Sequence, residues 1–235
     1  MPSEAPGRRP AGYYFQTERT LAGPGQQLRM LAEENWEELK LVNKLRDDVR
    51  RWRSSNYENV TNVTRELLRH WGREDRFRRL FFCQLEAVET VIYLSEIRAG
   101  GKRTRFTPQF ANEELALLTD NPEGDDALPL ARYACKMATG SGKTVVMAML
   151  ISWTLCNRGR FPSDERFPSG VLVVCPNLTV KERLQVLRPD NPGNYYAEFD
   201  LVPTTLRPLM QDGKVLVTNW HVFAPESEHS EGGST

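Results

Sequence analysis

The eight residues Met137-Ala138-Thr139-Gly140-Ser141-Gly142-Lys143-Thr144 constrain this chain more than any other stretch. They follow a run that reads as a strand, residues 130–137, and precede an apolar run that reads as a helix from 143 to about 157. Strand, glycine-rich turn and helix together predict a phosphate cradle. Glycines at 140 and 142 remove the Cβ atoms that would block a tight curl of the backbone. The curl turns successive N–H groups of residues 139–142 inward as an anion nest, beside Ala138, and the helix start adds free N–H donors and its dipole. The Lys143 ammonium reaches β and γ phosphates, and the Thr144 hydroxyl is a ligand for Mg²⁺. A Gly or Ala usually stands five places before the final Gly; Met137 stands there in this chain.

The elements around this loop predict an α/β chain. The apolar helix after Lys143 is expected to be buried against a sheet. Strands are expected at 171–175, 199–202 and 214–218, and helices at 179–187 and 204–211. Alternation of this kind implies a parallel sheet with helices on both faces. The first hundred residues read as mainly helical. Helical spacing joins Leu28, Leu31, Trp36, Leu39, Val42, Leu45, Val49 and Trp52 over residues 26–53, then Val60 to Trp71 before Gly72. A third pattern covers residues 74–98, with Phe77, Phe81, Leu85, Val88 and Ile92 on its apolar face. Residues 1–25, rich in Pro, Gly and Arg, are expected to be a loose lead-in, and residues 226–235 a disordered tail.

Charge narrows the partners only mildly. Residues 1–106 hold 20 Lys+Arg against 15 Asp+Glu, and the remainder 11 against 16, so a net charge near zero hides a basic first part. That permits nucleic-acid contact without demanding it. Cys83, Cys135, Cys156 and Cys175 form no C-x-x-C pair and lie in apolar stretches, as expected of reduced, buried thiols in a cytoplasmic protein. The longest apolar run is too short to span a bilayer, so no membrane association is expected.

Met137 to Thr144 resembles motif I of superfamily-two DEAD/DEAH-like helicases and translocases, more narrowly the motor subunit of type III restriction enzymes. Residues 79–87 are similar to that family's Q motif, and the resemblance makes Gln84 the residue that selects ATP by the donor–acceptor edge of adenine. Residues 174–184 resemble motif Ia, whose turn touches the phosphate backbone of DNA. Pro176, Asn177, Thr179 and Lys181 would supply that contact. A plain strand–helix connection capped by Thr179 remains the alternative. Residues 215–223 look like the family's Thr-Asn-aromatic-His segment, which places Asn219 and His221 beside the DNA track. Core packing at a strand end is the other reading of that segment.

The resemblance covers roughly residues 73–224 and implies a first RecA-like lobe over 73–225, after a helical region at 26–72. It implies ATP and Mg²⁺ as cofactors, double-stranded DNA as partner, and possible association with a modification (methyltransferase) subunit. The family's Asp-Glu-x-His box has no counterpart: Asp164-Glu165 falls in a polar loop, not after an apolar strand. The lobe is therefore expected to be incomplete, able to bind nucleotide but not to hydrolyse it appreciably. A helicase or repair motor without a nuclease, and a non-catalytic nucleotide- or DNA-binding module, are the alternatives.

Overall fold

The computed structural model describes residues 10–16, 34–120 and 130–223. The expected tail at 226–235 and most of the expected lead-in lie outside these. The chain divides into two units, the first within Met1–Glu58 and Tyr93–Tyr133, the second within Asn59–Ile92 and Ala134–Thr235.

The first unit opens with an antiparallel pair, β1 (Gly12–Gln16) and β2 (Glu34–Glu38). Both depart from expectation. Gly12–Gln16 falls in the expected lead-in, and Glu34–Glu38 in the expected first helix. Cross-strand pairing outweighs the helical spacing there: Tyr14 stands opposite Trp36, and the Trp36 ring lies where a Cβ on Gly12 would be. Helix α1 accordingly begins at Lys40 and runs to Ser54. Its buried face carries Asp48, Val49 and Trp52. The Asp48 carboxylate accepts N–H bonds from Gln109 (2.8 Å) and Phe110 (2.9 Å) and pairs with Arg51. Trp52 packs edge-on against Tyr57 and tilted against Tyr93, and donates its indole N–H to Glu58. The unit also contains a π-helical turn, Tyr93–Arg98, a short helix α4 (Asn112–Leu115), and the two-residue antiparallel pair β3 (Thr119–Asp120) and β4 (Leu130–Ala131).

In the second unit α2 (Asn62–Trp71) ends at Gly72 as its spacing predicts. Helix α3 (Phe82–Ile92) starts eight residues later than the expected 74. Residues 73–81 are not helical, and Phe77 and Phe81 are exposed rather than packed. Arg76 explains the delay. Its guanidinium is bound to the carbonyls of His70, Phe199 and Asp200, which holds this segment away from a helical path. The same bonds explain why the expected strand at 199–202 is absent. The carbonyls of Phe199, Asp200 and Leu201 are taken by Arg76, His70 and Trp71, so no ladder can form, and Asp200 adopts φ +46°.

Helix α5 (Lys143–Arg160) is the spine of the unit. It is buried as its composition predicts, but among helices rather than on a sheet: it packs against α2, α3, the short helix α7 (Tyr195–Glu198) and the 3₁₀ turn Arg207–Met210. Gly159 allows that turn to approach, because a Cβ there would stand 2.4 Å from the Leu209 carbonyl. A buried polar knot joins α5 to α2. Asn157 donates to Thr64 Oγ1 (2.9 Å) and accepts from Thr61, while the Trp153 indole also donates to Thr64.

Strands β5 (Gly170–Cys175) and β6 (Lys214–Asn219) form a two-stranded parallel sheet, with Cys175 opposite Asn219. Helix α6 (Leu178–Arg183) and the 3₁₀ turn Leu184–Leu187 occupy the expected helix at 179–187. The expected helix at 204–211 is reduced to the turn at 207–210. One face of the sheet is uncovered: Leu172, Val174 and Leu216 are about half exposed. The structure is therefore mixed helix and strand with a small parallel sheet, and among the described residues helices do not cover both faces. The expected strand at 130–137 is a correction too. Only Leu130–Ala131 pairs, and residues 132–138 run without a sheet partner. Cys135 is consequently exposed, Cys83 half-buried, and only Cys156 and Cys175 are buried.

Candidate functional site

The loop between residue 138 and α5 has the local geometry that its glycines require. Gly140 and Gly142 take φ +78° and +79°, the left-handed region that other residues enter only with strain. Ser141 closes the turn, its N–H and hydroxyl both bonded to the Ala138 carbonyl. Gly142 is the residue from which α5 starts, and its carbonyl accepts from Val145 and Val146.

This turn leaves donors over. Among the described residues no acceptor pairs with the backbone N–H groups of Thr139, Gly140, Gly142, Lys143 or Thr144. Two conformational causes converge: the first N–H groups of any helix lack intrahelical partners, and the two left-handed glycines turn the preceding amides away from the ladder. The Lys143 side chain is exposed. Its ammonium donates to the carbonyls of Met137 (3.0 Å) and Ala138 (2.8 Å), folding back over the loop. The Thr144 hydroxyl is half-buried in the first turn of α5 and has no hydrogen-bond partner among the described residues.

Gln84, 57 residues upstream of Ser141, is brought onto this loop by α3 packing against α5. Gln84 is 4% exposed, and its carboxamide is doubly engaged. Oε1 accepts from the Phe81 N–H (2.8 Å), and Nε2 donates to the Ser141 carbonyl (3.1 Å). The contact is so close that a Cβ on Gly142 would lie 2.1 Å from Nε2. Gln84 therefore braces the loop. That bracing was not readable from the sequence, where only its resemblance to an adenine-selecting residue marked it.

The other expected contacts gather elsewhere in the same unit. Parallel register sets Cys175 beside Asn219, so the turn after β5 and the segment after β6 leave the sheet at the same end. Pro176 and Thr179 are exposed, and Lys181 is half-buried. The Asn177 side chain accepts the Val180 N–H at 2.9 Å, so Asn177, not Thr179, caps α6. The Asn219 Oδ1 is buried without a hydrogen-bond partner. His221 is exposed, its ring stacked on Trp220 at 4.0 Å between centroids. Trp220 is itself half exposed, so this pair is not core packing.

No helix among the described residues is long and apolar enough to cross a membrane. Comparison with protein-family models, with curated proteins and with solved structures returned no match to this chain.

Proposed function

We propose that this chain binds the triphosphate of ATP with Mg²⁺ at residues 138–144, as the nucleotide-binding part of a DNA-dependent ATPase or translocase. One observation carries the reading: five backbone N–H groups without acceptors among the described residues surround a turn built on two left-handed glycines, with a lysine ammonium at its mouth. Unsatisfied amides at a helix start are a ready anion site, and a nest of them favours a polyphosphate over a single carboxylate. On binding, the Lys143 ammonium leaves the Met137 and Ala138 carbonyls for phosphate oxygens. The Thr144 hydroxyl, without a partner among the described residues, would hold Mg²⁺, which when bound would neutralise β and γ phosphate charge.

Adenine selection rests on Gln84. The resemblance alone carries that assignment, since Gln84 is buried and its carboxamide is bonded to Ser141 and Phe81. The common departure of residues 176–181 and 219–221 from one end of β5 and β6 supports a shared contact with a DNA backbone. It is the end at which open α/β sheets bind their ligands. We extend the proposal to a RecA-like lobe of the restriction-enzyme motor kind, with a modification subunit as partner. A helicase or repair motor without a nuclease has the same site and is separated from it by nuclease assay.

Isothermal titration calorimetry with ATP, GTP and inorganic triphosphate, each with Mg²⁺, tests the reading. The expected order is ATP tighter than GTP, with triphosphate retaining part of the affinity. No heat for any of the three at millimolar concentration would overturn the assignment. Equal affinity for ATP and GTP would remove only the role given to Gln84.

A further inference from the structure

A cavity of the same unit lies at the Lys214 end of β6, opposite the end proposed for DNA. It measures about 610 Å³, within the range of about 300–1,000 Å³ typical of small-molecule sites. Tyr196 and Met210 give it an apolar lining, and both are 6% exposed. The Tyr196 hydroxyl donates to the Leu187 carbonyl at 2.6 Å, which fixes the ring. Three cations line the same space: Arg188, Arg207 and Lys214.

Their partners are unequal. Arg188 is neutralised by Asp190, which also lines the cavity, through two hydrogen bonds. Arg207 donates Nε to the Val202 carbonyl and reaches Asp200 only at 3.4 Å, so several of its donors remain unspent. Lys214 has no side-chain partner among the described residues. Its side chain is exposed, but its backbone is fixed. Its N–H bonds to the Ser169 carbonyl at 3.0 Å, and the preceding Gly213 sits so tightly against Leu155 that a Cβ would lie 2.5 Å from a methyl carbon. A preformed apolar cavity with surplus positive charge held at its edge selects an anion carrying an apolar body.

We propose that this cavity is a binding site for a small organic monoanion with an apolar body, its acid group held by Lys214 and Arg207. The site is independent of the nucleotide loop, and the proposal does not rest on the function proposed for that loop.

The test is a ¹H–¹⁵N NMR titration of the full chain with 4-phenylbutyrate, and with 4-phenyl-1-butanol as its neutral counterpart. Saturable shifts are expected at Tyr196, Gly213, Lys214 and Val215, with the acid binding at least tenfold tighter than the alcohol. Lys214→Met should abolish that preference, while Lys214→Arg retains it and Lys143→Ala leaves it unchanged. The proposal is overturned if no saturable shift occurs, if acid and alcohol bind alike, or if Lys214→Met binds the acid as wild type does. Loss of acid binding in Lys143→Ala would place the anion on the loop and overturn it equally.

Discussion

The Gln84 side-chain N–H bonded to the Ser141 carbonyl links α3 to the middle of the glycine-rich turn at 3.1 Å. A buried carboxamide that holds a loop carbonyl also fixes which way the neighbouring peptide planes face, and so where the free N–H groups point. Gln84→Ala should lower stability by about 1–3 kcal/mol, since the Phe81 N–H and the Ser141 carbonyl lose a buried partner. Gln84→Glu keeps the acceptor for Phe81 but sets a carboxylate against the Ser141 carbonyl. It is expected to weaken ATP binding more than Gln84→Ala does. Urea denaturation and calorimetry on both variants check this. Unchanged ATP affinity in both would remove the bracing role.

Gly142 faces two separate penalties on substitution, and they can be told apart. Gly142→Ala places a side chain at φ +79°, at about 1–2 kcal/mol, and drives its Cβ into Gln84. In a Gln84→Ala background only the backbone penalty remains. A double-mutant cycle should therefore show non-additivity, with Gly142→Ala less harmful in the double variant. Additive losses would mean that the close approach of Gln84 carries no energy.

Lys143 is exposed, and its two bonds to loop carbonyls are replaceable by water. Lys143→Ala is expected to change the melting temperature little. It should weaken ATP·Mg²⁺ by at least tenfold, about 1.4 kcal/mol. Differential scanning calorimetry paired with titration calorimetry separates the two effects. A large drop in melting temperature would make this lysine structural.

In the first unit, Asp48 is fully buried and serves two backbone N–H groups and Arg51. Asp48→Ala strands all three and should cost about 3 kcal/mol or more. Asp48→Asn, which keeps the size but replaces one acceptor by a donor, is expected to fall between. Chemical denaturation followed by tryptophan fluorescence measures both, and a loss below 1 kcal/mol for the alanine variant would contradict this role.

Alkaline pH offers a probe of the second unit's core. Burial pushes the Cys156 thiol up to about 12 from its ordinary value of 9.0, with the Glu66 charge adding to it. The raised group is neutral when protonated, so its contribution to stability is fully present below pH 9. It is lost as pH rises towards 12. Cys156→Ala should flatten the fall in stability between about pH 9 and 10.5 relative to wild type, even if its baseline is lower. Parallel slopes for the two proteins would show that the thiol stays accessible to ionisation at little cost.

Local chemistry made some of this readable in one dimension. The turn at 139–142, the start of α5 at Lys143, the end of α2 at Gly72 and strands β5 and β6 all follow from residues within a few positions of each other. Glycine conformational freedom, helix capping and apolar runs act at that range. Other outcomes were decided by contacts between residues far apart. Trp36 pairs in a strand because Tyr14 and Gly12 meet it, and Phe77 is left outside because Arg76 is claimed by the carbonyls at 199 and 200. Gln84 becomes a brace only when α3 and α5 pack. The cavity beside Lys214 joins residues 188 to 215 across α7 and the turn at 207–210, which come together only when both pack on α5. The physical reason is range: propensity and spacing bias a few neighbouring dihedral angles, whereas buried hydrogen bonds and side-chain volume are satisfied only once the whole unit has closed.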